Sequence, residues 1–515
     1  MSAVGYRATT RWSPIFANEW IQISLLLAPL GAAGAIFLGW LTPFGVGIYV
    51  DSLYYVTSAR NLLAGIGMGR VTGLGIYKPM THYPPFYSMV LALFERCGMP
   101  ALDAGRWISI SAFGLSIILA GLIVYQVTRS KVFSLLTALL VICSNVVLRT
   151  FSWALSEPLY IVLLLLSFFL LGVYLQALNR RWLVLAAVSA SLALLTRYVG
   201  FAPAAALSLA LLSDRRFSWA RRLTDAVIFL SIAGAPTMLW MFRNWLVSET
   251  LANRSITWHP ISTENLQFLA KTLISWGLVP QRLVLGHESL AFGIIAGGLA
   301  AASAIWLILA WPKSGQAPQT EFLLLCASWL YAGLLGVSLS WVDSTTRLEN
   351  RILLPLYLQI LILIMIGAAY LWQRKRLVFR LAAAGMCLWL LYFSITRLNG
   401  AVVDLRSDGQ GYASQRWQNS QTLAYLREHE TSIIYTNDVT AVYFIAGKDS
   451  VAIPNAQASS EDLDLMRSKL SISNSYLVLF GQLTGEFTPL ERLTDDLTPA
   501  YQFSDGVIYL YNPKP

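Results

Sequence analysis

The chain has 515 residues, of which 56% are hydrophobic and 12% charged, with a formal net charge of +10. That charged fraction is about half the roughly 25% of soluble proteins and excludes a water-soluble globule. Residues 1–400 carry 29 basic and 13 acidic side chains, residues 401–515 carry 8 and 14; the basic excess lies beside apolar runs, so it belongs to membrane topology and excludes a nucleic-acid partner.

The first apolar run contains no charge from Trp20 to Val50. It is too long for a signal-peptide core and lacks a small-residue cleavage site, so it is expected to remain as an anchor. Runs near the roughly 20 residues needed to cross a bilayer core recur to residue 397. Eleven spans are predicted, near 20–41, 106–128, 132–149, 158–178, 182–196, 199–213, 225–247, 289–311, 321–341, 352–372 and 377–397, the fifth and sixth being short. Arg7 and Arg11, Arg129 and Lys131, Arg180 and Arg181, Arg215 with Arg216, Arg221 and Arg222, Lys313, and Arg374, Lys375, Arg376 and Arg380 then fall on one side. The positive-inside rule makes that side cytoplasmic, with the amino terminus inside and the carboxyl tail outside. Four cysteines at 97, 143, 326 and 387 have no paired spacing, and an outward tail without disulfides suits a bacterial plasma membrane.

This topology turns residues 42–105, residues 248–288 and the turn WVDSTTRLENR outward. The first of these opens at Asp51 and continues into DSLYYVTSARNLLAG and YPPFYSMVLALFERCG, whose helical spacing of apolar residues predicts helices lying along the interface. Between them GIGMGRVTGLGIYKPMTHYPP, rich in glycine, reads as a loop able to close over a substrate.

The tail reads differently. SIIYTND, DSVAIP, SYLVLF and GVIYLY predict strands, and QRWQNSQTLAYLREH and SEDLDLMRSKL predict helices between them. The fold class is therefore a polytopic α-helical membrane protein with a C-terminal soluble α/β domain: residues 1–397 form the membrane domain and residues 398–515 an extracytoplasmic domain. The strands are followed by no glycine-rich phosphate loop, so the tail is expected to serve as a lid or acceptor dock rather than a nucleotide site.

One span, an acidic residue, a YxxxARNLL helix and the stretch YPPFY, in that order, resemble the GT-C membrane glycosyltransferases, in the branch of the protein O-mannosyltransferases and the lipid A aminoarabinose transferase. SEPLY at 156–160, LLTRYVG at 194–200, RNWLVSE at 243–249, RILLPLY at 351–357 and IIYTNDVTAVYFIAG at 433–447 extend the resemblance along nearly the whole chain. It implies a GT-C fold and transfer of one sugar from a polyprenyl-phosphate donor to a protein, glycolipid or polysaccharide acceptor, with Asp51 as catalytic base. The mannosyltransferases have an Asp–Glu pair where this chain has Asp51–Ser52, a departure that bears on the acceptor.

A departing phosphate needs fixed positive charge, and arginine supplies it through paired hydrogen bonds. Arg197, Arg243, Arg347 and Arg351 stand at the outward ends of spans and are the candidate phosphate ligands. Glu157, His82 and Tyr83 are candidates for contact with sugar or acceptor. Each has a plainer alternative: Asp51 as a helix cap, Glu157 as a first-turn acid on the helix dipole, Arg351 as a partner of Asp343 or Glu349, Arg197 and Arg243 as interfacial anchors, Tyr83 as part of an aromatic belt. His259 and His287 lack metal-ligand spacing, and no metal or other cofactor is expected. A lipid or sugar transporter, or a scaffold with an outer binding domain, are the rival readings; no internal repeat of the transporter kind is apparent.

Overall fold

A computed structural model of the chain describes residues 14–278 and 288–512. Arg7, Arg11, His287 and residues 279–287 of the expected outer segment lie outside the described residues.

Helix α1 (Pro14–Leu41) leads to a segment that holds α2 (Val50–Leu63), a hairpin of β1 (Gly69–Val71) and β2 (Tyr77–Pro79), and α3 (Phe86–Arg96). The helices α4 (Ala101–Thr128), α5 (Lys131–Cys143), α6 (Asn145–Phe151), α7 (Glu157–Ala177), α8 (Arg180–Leu194), α9 (Phe201–Leu212), α10 (Trp219–Ser248), α11 (Thr263–Ser275), α12 (Glu288–Ala310), α13 (Thr320–Trp341), α14 (Asn350–Trp372) and α15 (Leu377–Ser407) follow. Eight of these, α1, α4, α7, α10 and α12 to α15, are long and apolar enough to cross a membrane.

Three of the eleven predicted spans take another form. The third is the pair α5 and α6, bent by 57°. The bend sits at Ser144, whose extended backbone ends α5 and whose hydroxyl accepts from the Val147 N–H to start α6. The fifth and sixth are α8, 15 residues long, and α9, 12 residues long, joined through Arg197 and the 3-10 turn Tyr198–Gly200. At 1.5 Å rise per residue neither reaches across a 30 Å core. In the last, α15 runs to Ser407, ten residues beyond the predicted end.

Lipid offers no hydrophobic drive between helices, so close packing must supply the attraction. At Gly31 of α1 an added Cβ would lie 2.8 Å from the Gly114 carbonyl oxygen, and at Gly114 of α4 one would lie 2.7 Å from the Gly31 oxygen. Only glycine at both positions permits this approach. A continuous apolar core then runs from Ile23 and Leu27 through Phe113, Phe168 and Phe322 to Ile362.

Beyond α15 lie β3 (Ile434–Thr436), β4 (Val451–Ala452), β5 (Tyr476–Phe480), β6 (Leu497–Gln502) and β7 (Gly506–Tyr511), in the sheet order β4-β3-β5-β7-β6. β3 is parallel to β4 and β5, while β7 is antiparallel to β5 and β6. α16 (Gln421–Glu428) and α17 (Ser460–Leu470) match the predicted helices. The four predicted strands are present, and β6 is an addition.

This sheet is anchored to the membrane part by its membrane-proximal end. Tyr412 N–H donates to the Ile48 carbonyl at 3.1 Å, just ahead of α2. Arg60 of α2 reaches the Tyr443 hydroxyl at 2.8 Å. The hairpin is held from above by the Ser450 carbonyl, which accepts from Arg70 Nη2 at 3.2 Å and from Gly73 N–H at 3.3 Å.

Candidate active site

The starts of α2, α7 and α14 and the residue Arg197 after α8 bring two carboxylates and two guanidiniums together. Asp51 stands in the first turn of α2 but caps nothing. Ser52 does the fastening instead: its hydroxyl accepts from the Tyr49 N–H at 3.0 Å and donates to the Ala154 carbonyl at 2.8 Å. Asp51 is thereby free to turn inward. Its Oδ1 accepts from the Tyr83 hydroxyl at 3.0 Å, and its Oδ2 lies 2.9 Å from Arg351 Nη1.

Arg351, in the first turn of α14, is shared. Its Nε lies 3.6 Å from Glu157 Oε1, and its guanidinium sits over the Tyr49 ring at 5.0 Å. Glu157 opens α7 with Pro158 behind it, as a first-turn acid should, yet its side chain is only 4% exposed and is met by Arg197 Nη1 at 2.6 Å. Arg197 also donates to the Ser156 hydroxyl at 3.3 Å, and Ser156 is in turn 3.0 Å from the Tyr55 hydroxyl. Glu157 Oε2 has no hydrogen-bond partner. Tyr160, Tyr331 and Pro355 close around Glu157, Arg197 and Arg351, leaving a gap too small for a water molecule.

The hydroxyls around Asp51 are donors. Burial, and after it the Asp51 carboxylate, raises Tyr83 far above its ordinary value of 10.0, and the same two causes raise Tyr55. Two carboxylates and two guanidiniums at one spot sum to zero charge, which is what lets them persist at this depth.

Of the remaining candidates, Arg243 lies on α10, donates at 2.8 Å to the Met80 carbonyl and bonds Asn244 Oδ1 at 3.0 Å. It clamps the loop that carries His82 and Tyr83. His82 faces Arg254. Arg347 departs from the expected cluster: it precedes α14, its side chain is 61% exposed, and it lies 3.9 Å from Glu264 and over the Phe268 ring. Four residues before Arg351, it sits in a solvated turn rather than on the inward helical face. Arg347→Gln is therefore expected to change activity by less than about twofold, as surface pairs of this kind contribute little; initial rates against wild type check it. Asp343 and Glu349 do not pair with Arg351, since Asp343 is taken by Arg254. Among the described residues no three His, Cys, Asp or Glu side chains are grouped to hold a metal.

Sequence reading missed Tyr55, Ser156 and Tyr331, although Tyr55 and Ser156 stand within the quoted YxxxARNLL and SEPLY motifs. It also missed Arg254, whose partners come from distant segments.

No family model and no curated protein matches the sequence. Solved structures do. ArnT from Cupriavidus metallidurans in the apo state superposes with a TM-score of 0.57 at 14% identity, covering 96% of this chain and 98% of its own. The same protein bound to undecaprenyl phosphate gives 0.53 at 13% identity over the same shares. The oligosaccharyltransferase AglB from Archaeoglobus fulgidus, in complex with an inhibitory peptide and a dolichol-phosphate, gives 0.53 at 11% identity over 90% of this chain and 70% of its own.

The chain has the GT-C fold. In this GT-C chain the α2–α3 segment brings Asp51 to the helix ends that carry Glu157, Arg197 and Arg351, and the α/β tail is fastened to that segment.

Proposed function

We propose that the protein is an inverting glycosyltransferase that moves a single sugar from a polyprenyl-phosphate donor to an acceptor on the extracytoplasmic side of the membrane. One observation carries the reading: Asp51 and Glu157 share Arg351, and Glu157 pairs with a second arginine, Arg197. The proposed base and a proposed phosphate ligand thus stand in contact. The undecaprenyl phosphate and dolichol-phosphate bound to structures of the same fold support a polyprenyl donor. The basic clusters among the described residues, from Arg129 and Lys131 to Arg380, lie at the opposite ends of the helices and support the outward orientation of the site.

The donor phosphate competes with Asp51 for Arg351. When its anionic oxygens draw the guanidinium away, Asp51 loses an ion pair and becomes a freer base. The acceptor hydroxyl then attacks the anomeric carbon opposite the phosphate and gives its proton to Asp51. The carbon–oxygen bond to phosphate breaks with its electron pair on the phosphate, which leaves as a dianion stabilised by Arg351 and Arg197. One displacement inverts the anomeric centre. The α/β tail, fastened to the hairpin at Ser450 and to α2 at Tyr443, serves as a lid or acceptor dock.

The test is transfer by the full chain reconstituted in lipid, with a panel of radiolabelled polyprenyl-phosphate monosaccharides and Asp51→Asn as the matched control. Consumption of one donor, dependent on Asp51, is expected. Labelled lipid crossing the bilayer without donor consumption would replace this reading with a transporter.

A further inference from the structure

The hydrogen bond from Tyr83 to Asp51 is the end of a longer chain. His82 packs edge-on against Tyr83, with ring centroids 4.7 Å apart, and its Nε2 lies 2.8 Å from Arg254 Nη2. A guanidinium has only N–H donors, so Nε2 accepts, and the proton of the neutral ring sits on Nδ1. Arg254 pairs on its other side with Asp343. Asp343 is fixed by Thr345, from its hydroxyl at 2.6 Å and its N–H at 3.1 Å, and by the Thr346 hydroxyl at 2.7 Å. Hydrogen bonds from Thr345 and Thr346, with Arg254, outweigh the upward pull of burial and hold Asp343 down at about 2.

The Arg254 segment itself is tied to the end of α13. Thr257 N–H donates to the Trp341 carbonyl at 3.0 Å, and His259 N–H to the Ser340 carbonyl at 2.9 Å. Trp258 packs on Trp341 at 5.2 Å. Three outer segments, distant in sequence, therefore meet at one guanidinium.

We infer that Arg254 and Asp343 are positioning residues: acting through a neutral His82, they fix Tyr83 against Asp51 and so set the orientation of the carboxylate. The catalytic consequence rests on the glycosyltransferase reading; the positioning belongs to the fold. The charged groups facing His82 are Arg254 from the loop after α10, Asp343 from the turn after α13 and Asp51 from α2, with Tyr83 beside it protonated. Burial and Arg254 lower the His82 pKa from 6.5, opposed by the two carboxylates. A depressed histidine disfavours the proton in the docked state, so docking is fully held above pH 6.5 and weakens as pH falls below it. A protonated ring would turn Nε2–H against the Arg254 N–H.

The chain has four histidines, so 13C-histidine NMR of the full chain in lipid nanodiscs resolves the titration, with His82→Gln assigning the signal. Arg254→Gln is expected to shift the His82 midpoint upward, and Arg254→Lys, which keeps the charge, to leave it low. In transfer assays Arg254→Gln should lower kcat roughly ten- to a hundredfold, as expected of a displaced catalytic group, with the donor KM nearly unchanged. It should also move the acid limb of the pH profile upward, and His82→Gln should flatten that limb. A His82 midpoint unmoved by Arg254→Gln would overturn the inference. Should Arg254→Gln fail to fold, Asp343→Asn gives the second reading: an unchanged kcat and acid limb there would overturn it equally. If Asp51→Asn transfers normally while the His82 midpoint moves as expected, the positioning stands and the glycosyltransferase reading falls.

Discussion

Asp51→Asn is expected to lower transfer by roughly 10²–10⁴-fold, the usual contribution of a positioned general base, while the protein folds and inserts normally. Asparagine keeps the shape, but its one carbonyl oxygen accepts from the Tyr83 hydroxyl or from Arg351, not from both; what it lacks for the chemistry is a lone pair basic enough to take the acceptor proton. Stability should change little, because Arg351 keeps Glu157 at 3.6 Å when Asp51 loses its charge, and the pair is partly solvated, with 16% and 28% of the two side chains exposed. The donor KM should hold or fall, since Arg351 no longer has to leave a carboxylate to meet phosphate. Initial rates over a range of donor concentrations, alongside a melting curve in detergent, separate the two effects. A kcat within a few-fold of wild type would remove Asp51 as the base.

The sequence made the fold class legible because its signals are local. Charge-free runs of spanning length and alternating strands need no partner to be recognised. What needed a partner was misread or missed. The predicted fifth and sixth spans, already short, coincide with α8 and with the 3-10 turn and α9; what went unread is that the break between them carries Arg197 in a buried pair with Glu157, since no window of hydropathy registers an ion pair. β6, LTPAYQ, went unread because it contains Pro499; it is tolerated at the edge of the sheet, with a register shift between Pro499 and Tyr501.

The site divides in the same way. Asp51 and Glu157 were visible as acids at the outward ends of apolar runs, and Arg351 as a cation at the start of another. Arg347 carried the same signal as Arg351, but α14 begins only at Asn350, which leaves Arg347 in the solvated turn before it while Arg351 sits in the first turn of the helix. Arg254 and Asp343 carried no signal of their own, since their role arises from three segments meeting in space.

Glu157→Gln tests the charge balance that holds the site together. Removing one member of a buried ion pair leaves an uncompensated charge and typically costs about 3–5 kcal/mol. Here the carboxylate is 4% exposed and serves Arg197 at 2.6 Å and Arg351 at 3.6 Å, so its loss leaves two guanidiniums facing one another with Asp51 as the remaining anion. The unfolding midpoint of Glu157→Gln in detergent should fall markedly, and transfer with it, because Arg351 would bind Asp51 more tightly and yield it less readily to phosphate. Adding Arg197→Gln should recover part of the lost stability, since removing both halves of a pair costs less than removing one, without recovering transfer, since a phosphate ligand is then gone. That opposite response of stability and activity separates Glu157 as a counterion from Glu157 as a sugar ligand alone. A Glu157→Gln protein as stable as wild type would remove Glu157 as the counterion of the two arginines.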